Sequence, residues 1–280
     1  MDRELVFAFL VAALCGFTLI ATGWWPTGAP IAASERSAEA RMWWRIWLPF
    51  GPAAFVFAVL LGWALVEPVN AEPVPKALML TALPFTFIFA RAAWRAARSL
   101  TISRAHLTIA TVGFFRPWII VSPRFAEAID KDALAAALEH ESAHARHRDP
   151  LRLWLAQLAT ELLWPAPAAT LRLQSWKRAL EIARDDEARS RGAAGPDLAA
   201  AILASLRSGQ MIAQVAAATL TDETYIKERV TRLLQPFDPE AAPRRKLTPI
   251  LLVLSLGIPL AILVGVKFGE KLIGSLLMAA

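Results

Sequence analysis

Four apolar segments, each about as long as a helix that crosses a bilayer, constrain this chain more than any other feature. Residues 5–22 are uncharged and can span about 30 Å of hydrocarbon, as can residues 46–66 and 247–266. A weaker third span covers 73–94, where only the middle is free of charge. With 56% hydrophobic and 19% charged residues, the chain is too apolar for a soluble domain. We therefore predict a mainly α-helical membrane protein with about four transmembrane helices.

The first span has one competing interpretation, which is a cleaved signal peptide. Asp2, Arg3 and Glu4 make a poor cationic start, and no good small-residue cleavage site follows. We therefore expect the segment to be retained. Cys15 is the only cysteine, which excludes an internal disulfide and a thiolate zinc site.

Basic residues beside the spans predict the orientation in the membrane. Arginines follow the third span and a basic run at 244–246 precedes the fourth, which places both flanks in the cytoplasm. Arg36, Arg41 and Arg45 place the loop between the first two spans on the same side. We predict an outer amino terminus, three crossings within 1–99, a cytoplasmic domain over 100–246, and a return crossing with a short tail over 247–280. This bias also accounts for the net charge of +6, so no nucleic-acid partner is predicted.

The predicted cytoplasmic domain has an α+β pattern. Residues 107–112 and 118–121 are β-like and flank a turn that contains Gly113 and Pro117, which predicts a hairpin. A helix over about 132–148 follows, which Asp130 or Asp132 can cap and Pro150 ends. Further helices are predicted near 151–164, 170–190, 197–208 and 222–234.

The 132–148 helix contains the pattern HExxH. His140 and His144 are one turn apart on the same helix face, so both imidazoles can reach one Zn²⁺ ion. Glu141 is placed beside the metal, where a general base would act on water. The pattern predicts a catalytic zinc site of the zincin type. A site that binds zinc without turnover is the alternative.

A catalytic zinc needs a third protein ligand, and a later helix offers Glu181. Asp185, one turn further on, would accept a hydrogen bond from a histidine N–H and orient that ring. The alternatives are an ordinary exposed carboxylate for Glu181, and for Asp185 a surface ion pair with Arg178, Arg184 or Arg189. We predict that His147 is not a ligand and that His106 is a surface residue.

The chain resembles the BlaR/MecR-type membrane zinc metallopeptidases. The similarity rests on the HESAH motif at 140–144, the RDPL run at 148–151 and EIARDD at 181–186. Two flanking segments, 113–123 and 227–234, are also similar. The resemblance implies zinc ligation by His140, His144 and Glu181, with Glu141 as catalytic base, in a multi-pass protein of the bacterial inner membrane. Only residues 267–280 follow the fourth span, so we expect no extracellular sensor domain and no direct antibiotic sensing.

Two other functions remain open at this point. HtpX-like quality-control peptidases share the motifs but carry two hydrophobic segments between them, whereas this chain has only 151–169. That segment cannot cross once if Glu181 is to share a metal with His140, so it is predicted to be interfacial, re-entrant or a plain core helix. The second alternative is a non-proteolytic receptor or scaffold that zinc stabilises.

The predicted reaction is peptide-bond hydrolysis of a protein or peptide substrate at the membrane surface. A regulatory protein or a misfolded membrane protein would both fit such a site. The strand with Trp118, Ile119, Ile120 and Val121 offers an edge on which an extended substrate can pair, unless that strand is already fully paired. Tyr225 is a weak candidate for the oxyanion donor. The oligomeric state is not predictable from the sequence.

Overall fold

The computed structural model describes residues 3–24, 37–66, 76–99, 109–207, 221–237 and 249–279, and this part of the chain is mostly helical. In chain order the elements are α1 (Arg3–Gly23, with a π-helical stretch at Val11–Cys15), α2 (Ala38–Trp47), α3 (Phe50–Val66), α4 (Lys76–Ser99), β1 (Ile109–Val112), β2 (Trp118–Val121), α5 (Pro123–Ala128), α6 (Lys131–Arg146), α7 (Asp149–Leu162), α8 (Pro167–Ser190), α9 (Gly195–Arg207), α10 (Thr221–Leu233) and α11 (Pro249–Ala279).

Two helices in the described ranges are long and apolar enough to cross a membrane. They are Arg3–Gly23 and Ala38–Val66, and the second comprises α2 and α3 with a short turn between them. These correspond to the first two predicted spans. The third and fourth predicted spans form the helices α4 and α11, and their crossing of the membrane stays a prediction.

The helices α3 and α11 approach each other so closely that their glycines are required. A Cβ atom on Gly62 would lie 2.2 Å from the carbonyl oxygen of Ile262, and one on Gly265 would lie 2.1 Å from that of Val59. Small residues at such crossings let backbones touch, which is a common way for helices to associate in lipid. The last described helix therefore packs directly on the second apolar segment.

Residues 38–47 form a packed helix, whereas the sequence predicts a loop for this arginine-containing segment. In α2, Met42 and Ile46 are buried against α8, and Trp43 lies 4.9 Å from Trp176 between ring centroids. The apolar residues follow a helical spacing, while Arg41 and Arg45 lie on other faces of the helix. These arginines obscured the amphipathic pattern of the helix in the sequence.

The segment between the two metal motifs folds back on itself. Helix α7 has 14 residues and is about 21 Å long, too short to cross the hydrocarbon core alone. After the turn at 163–166, α8 runs back beside it, and Arg184 reaches Asp149 at the start of α7. The reversal returns Glu181 toward α6. The partly buried faces of α7 pack on α4 and α8, as in the core-helix alternative.

The tip of this α7–α8 hairpin contacts the apolar helices. Leu163 is buried in one cluster with Leu10, Leu60 and Trp63. The hairpin also contacts the last part of α4, where Glu161 of α7 accepts hydrogen bonds from Arg91 at 2.6 Å and from Arg95 at 2.8 Å. The candidate peptidase helices are thus joined to the apolar helices by both packing and ion pairs.

The predicted β-hairpin and catalytic helix are present. Strands β1 and β2 are antiparallel, with Ile109 opposite Val121 and Val112 opposite Trp118. Helix α6 follows and packs through alanines such as Ala136 against α9 and α10. The predicted helices near 151–164, 170–190, 197–208 and 222–234 correspond to α7, α8, α9 and α10.

Candidate metal centre

The two histidines of α6 point toward a common point. Their ring centroids are 4.8 Å apart, and their Nε2 atoms are separated by 3.1 Å. Both side chains are largely shielded, with 12% of His140 and 10% of His144 exposed. The i, i+4 spacing on a regular helix produces this convergence.

Helix α8 places Glu181 against the same two nitrogens. One carboxylate oxygen lies 3.5 Å from His140 Nε2 and the other lies 3.7 Å from His144 Nε2. One ligand atom from each of the three residues fits within 4.8 Å of the others. About a third of the Glu181 side chain is exposed, so the cluster is partly open to solvent.

These three residues suit a tetrahedral zinc ion. Ligand atoms about 2.0–2.1 Å from a tetrahedral zinc are roughly 3.4 Å from one another, close to the separations in this cluster. Two imidazoles and a carboxylate are also a ligand set that catalytic zinc sites use, with a further position left for water. The residues therefore fit the metal that the sequence analysis predicted.

Each imidazole is held from behind by a buried aspartate. His144 Nδ1 lies 2.9 Å from Asp149 Oδ2, within hydrogen-bond range, and His140 Nδ1 lies 2.9 Å from Asp185 Oδ1. The second contact has the distance of an ion pair but not the alignment of a hydrogen bond. A carboxylate at Nδ1 favours the tautomer that leaves Nε2 free for a metal.

Asp149 is the more deeply buried of the two aspartates. Its Oδ2 atom also accepts a 2.5 Å hydrogen bond from Arg184 Nε, and its Oδ1 accepts one at 3.1 Å from Arg184 Nη2. Burial alone would raise the pKa of Asp149, but His144 and the Arg184 guanidinium outweigh burial and hold this pKa far below its usual range. The aspartate is thus a permanent anion behind His144.

The chain makes a tight turn to place Asp149 there. Arg148, between α6 and α7, has a left-handed backbone with φ of +53°, and Pro150 occupies the first turn of α7. A non-glycine residue in this region costs about 1 kcal/mol of backbone energy. The turn returns the first side chain of α7 to the last turn of α6.

Arg229, from α10, neutralises the carboxylates on the other side of the cluster. It donates to both oxygens of Asp185 at 2.8 Å and lies 3.1 Å from Glu181 Oε2. Burial would raise the pKa of Glu181 and of Asp185, but the adjacent Arg229 guanidinium and the imidazoles lower both pKa values instead. The ion pair of Asp185 is therefore with Arg229, and not with the arginines of its own helix.

The carboxylates create a strongly cation-attracting field at His140. Burial would lower the pKa of the His140 imidazole, but Asp185 and Glu181 outweigh it and raise that pKa to about 10. The same field would stabilise a divalent cation, which competes with the proton for Nε2. The electrostatics and the donor set therefore agree on a cation at this position.

The hairpin contacts the remaining residue of the motif. Thr111 Oγ1 lies 2.7 Å from Glu141 Oε2 and 2.8 Å from the Glu141 backbone oxygen. A hydroxyl has one proton, so it donates to one of these oxygens at a time. Strand β1 thus touches the carboxylate beside the candidate metal ligands.

The other predicted residues lie outside this cluster. Trp118 is 47% exposed, and Ile119, Ile120 and Val121 are partly buried and pair with β1. His147 contacts Glu187 at 2.8 Å, and Tyr225 donates a 2.9 Å hydrogen bond to the backbone oxygen of Arg178. His106 lies outside the described residues. Substrate pairing along 118–121 stays a prediction.

A cavity of about 610 Å³ lies between the end of α4, α7 and the hairpin turn. Its lining combines aromatic rings with cationic side chains, including Trp94, Phe114, Trp154, Arg95 and Lys177. Lys177 is one helical turn before Glu181, so the cavity is adjacent to the metal cluster.

Residues 98–233 match the family model described as BlaR1 peptidase M56. This segment belongs to that peptidase family. The match includes every residue of the cluster, from Thr111 to Arg229, and it confirms the resemblance to BlaR/MecR-type peptidases. No curated protein and no solved structure matches the chain.

Within the M56 segment, Thr111, Asp149 and Arg229 have no predicted role from the sequence, and Arg184 was an alternative partner for Asp185 but binds Asp149 instead. Asp149 had a local signal, because it follows the HExxH helix directly and precedes a proline. Arg229 lies within 227–234, one of the segments that carry the family resemblance, but only the folded chain shows that it pairs with Asp185. Thr111 belongs to an ordinary strand pattern, and its contact depends on how the hairpin docks on α6.

Proposed function

We propose that this protein is an integral membrane zinc endopeptidase that cleaves a protein substrate at or near the cytoplasmic face of the membrane. The observation that carries the proposal is the convergence of His140, His144 and Glu181, with Glu141 adjacent on the same helix. A metallopeptidase needs such a ligand set and a base beside it. The M56 match supports a peptidase.

In this proposal His140, His144 and Glu181 hold the zinc ion, and Asp149 and Asp185 keep the two imidazoles oriented. When bound, zinc supplies Lewis-acid activation of water and of the scissile carbonyl. Glu141 accepts a proton from the attacking water and delivers it to the departing amine. Thr111 fixes the direction of the Glu141 carboxylate through its 2.7 Å contact.

The proposed topology has four crossings, with the peptidase domain over 100–246 on the cytoplasmic side. Its support is that the domain contacts α1 and α4 near their carboxyl-terminal ends, which four crossings place on the same side of the membrane. Arg172 donates to the backbone oxygen of Gly23 at the end of α1, and Glu161 pairs with Arg91 and Arg95 near the end of α4. A reporter fused after Ala280 is expected outside the cytoplasm, and a cytoplasmic reporter would contradict the topology.

Glu141→Gln tests the catalytic proposal. We expect the variant to bind one zinc ion as the wild type does and to lose cleavage by at least a hundredfold, because general base catalysis contributes about 10²–10⁴. Membrane and cytoplasmic proteomes of cells with either form should differ by fragments present only with the wild type. A scaffold that merely binds zinc would give identical proteomes.

Glu181→Ala tests the ligand set. We expect the purified variant to contain far less zinc than the wild type, because two imidazoles alone bind the ion weakly. Asp186→Ala is a matched control, since this aspartate is on the same helix and pairs with Arg232 instead. Full zinc occupancy in Glu181→Ala would refute the assignment.

A further inference from the structure

We propose that Glu39, on helix α2 just before the apolar helix α3, positions the metal ligand His144 through Arg152 and Asp149. This inference rests on the proposed zinc site. Arg152 and Glu39 are positioning residues in this proposal, because neither touches the metal cluster. The M56 match begins at residue 98, so Glu39 lies outside the family segment.

The connection is a continuous series of charged contacts. Asp149 uses Oδ2 for His144, at 2.9 Å, and Oδ1 for Arg152 Nη1, at 3.0 Å. The other terminal nitrogen of Arg152, Nη2, donates to Glu39 Oε1. Four residues thus connect helix α2 to the back of a ligand imidazole.

Arg152 is shielded from water along this path. Only 17% of its side chain and 14% of the Glu39 side chain are exposed. Its guanidinium carbon lies 4.6 Å from the centre of the Trp43 ring and 5.4 Å from that of Trp176. In such a shielded setting a charge interacts strongly with its neighbours and is costly to leave unpaired.

Arg152 shares its positive charge between two carboxylates, those of Asp149 and Glu39. The second arginine at Asp149, Arg184, also lies 3.5 Å from Glu187. Without Glu39, Arg152 would draw more strongly on Asp149, which would then be a poorer acceptor for the His144 N–H. Weaker support at Nδ1 makes the imidazole a weaker and less fixed metal ligand.

Docking of α2 does not depend on this ion pair. Met42, Trp43 and Ile46 pack against Leu173 and Trp176 by apolar contact alone. Gln at position 39 keeps the size of the side chain and an oxygen that can accept from Trp176 Nε1, which lies 3.3 Å away. Glu39→Gln therefore removes the charge while leaving the helix in place.

Helix α2 continues through a short turn into α3, the second apolar helix. A displacement of α3 within the membrane would therefore act on Glu39. The proposal thus provides a physical route by which the membrane segment influences the metal site.

The test measures zinc affinity of the full-length chain in nanodiscs by competition with a chelator. We expect Glu39→Gln to weaken zinc binding about tenfold, within the range of about 10–100-fold for partners behind a metal-bound histidine. Arg152→Gln should weaken it similarly, and the double variant should be no worse than Arg152→Gln. The visible spectrum of bound Co²⁺ should change in both, since it reports ligand orientation.

Glu161→Gln is the matched control. It removes a buried carboxylate on α7 that pairs with arginines of another apolar helix, and among the described residues no ion pair joins it to Asp149. We expect its zinc affinity and Co²⁺ spectrum to match the wild type. Glu39→Asp, which keeps the charge, replaces Glu39→Gln if the latter unfolds, and we expect it to stay within about threefold of wild type.

Unchanged zinc affinity in Glu39→Gln would overturn the positioning role, as would an equal loss in Glu161→Gln. Failure of the zinc site itself has a different signature. In that case His144→Ala and Glu181→Ala would bind zinc as tightly as the wild type does.

Discussion

The hydroxyl of Thr111 on strand β1 contacts the side chain of Glu141 on helix α6 at 2.7 Å. The contact joins the β-hairpin to the carboxylate that we assign as the base. Glu141 has two carboxylate oxygens and free rotation about its side-chain bonds, so such a donor restricts where its lone pairs point. The hairpin therefore contacts and restricts the carboxylate that we propose as the base.

Thr111→Val should reduce cleavage without affecting zinc content. The substitution keeps the shape of the side chain and removes the donor to a charged acceptor, an interaction worth about 1.5–3 kcal/mol, so we expect a loss of about tenfold or more in kcat. The measurement is turnover of a cleaved protein together with metal analysis. Thr111→Ser retains the hydroxyl and should remain close to wild type, and a defect of equal size in Thr111→Ser would argue against this role.

Asp149→Asn should weaken zinc binding by about 10–100-fold, because the neutral amide supports His144 less well. The same change leaves Arg184 without its carboxylate in a buried site, which should destabilise the fold by about 3 kcal/mol. Chelator competition and thermal unfolding measure the two effects. Asp132→Asn, at an exposed position at the start of α6, should change neither. Wild-type zinc affinity in Asp149→Asn would show that the contact with His144 is unimportant.

Arg229→Gln should make zinc binding more sensitive to acid. Arg229 lowers the pKa values of Glu181 and Asp185, so its removal raises both, and protons then compete with zinc at a higher pH. Loss of this positive charge also favours protonation of His140, which shifts the balance in the same direction. At neutral pH, loss of a nearby cation favours zinc binding, which is the opposite effect. The prediction therefore concerns the pH at which half the zinc is released, which we expect to rise. A titration of zinc content from pH 8 to about 4 measures this shift. An unchanged or lower midpoint would contradict the prediction.

Gly265→Leu should separate α3 from α11. Any side chain at this position would meet the backbone of Val59 at 2.1 Å, so the two helices must move apart. Overpacking of this kind costs about 1–3 kcal/mol, visible as a lower unfolding temperature in nanodiscs. Gly257→Leu on the same helix has open space around it and serves as the control. Equal unfolding temperatures for the two variants would mean that the close approach is not needed.

The helix that carries the HExxH pattern and the convergence of its two histidines were predictable because both depend on local spacing. The i, i+4 arrangement in a regular helix determines where His140 and His144 point, whatever surrounds them. Glu181 was predictable from the chemistry that zinc requires. The hairpin followed from β-branched residues on each side of a glycine and proline turn.

The residues that hold these groups in place were not predictable in the same way. Arg229 and Glu39 lie far from the motif in sequence, and each acquires its role from a tertiary contact. Asp185 illustrates the limit, because several arginines on its own helix were plausible partners and a residue from α10 is the actual one. Helix α2 was missed because its arginines resemble those of a cytoplasmic loop, while its apolar face becomes evident only against α8.

The reversal between α7 and α8 has a consequence for biosynthesis. Synthesis begins at the amino terminus, so the two histidines of α6 are made before Glu181 of α8, and Arg229 is made later still. The half-made chain therefore carries the HExxH pattern without the group that completes it. The proposed set of three metal ligands is thus incomplete in the growing polypeptide until the α7–α8 hairpin has closed.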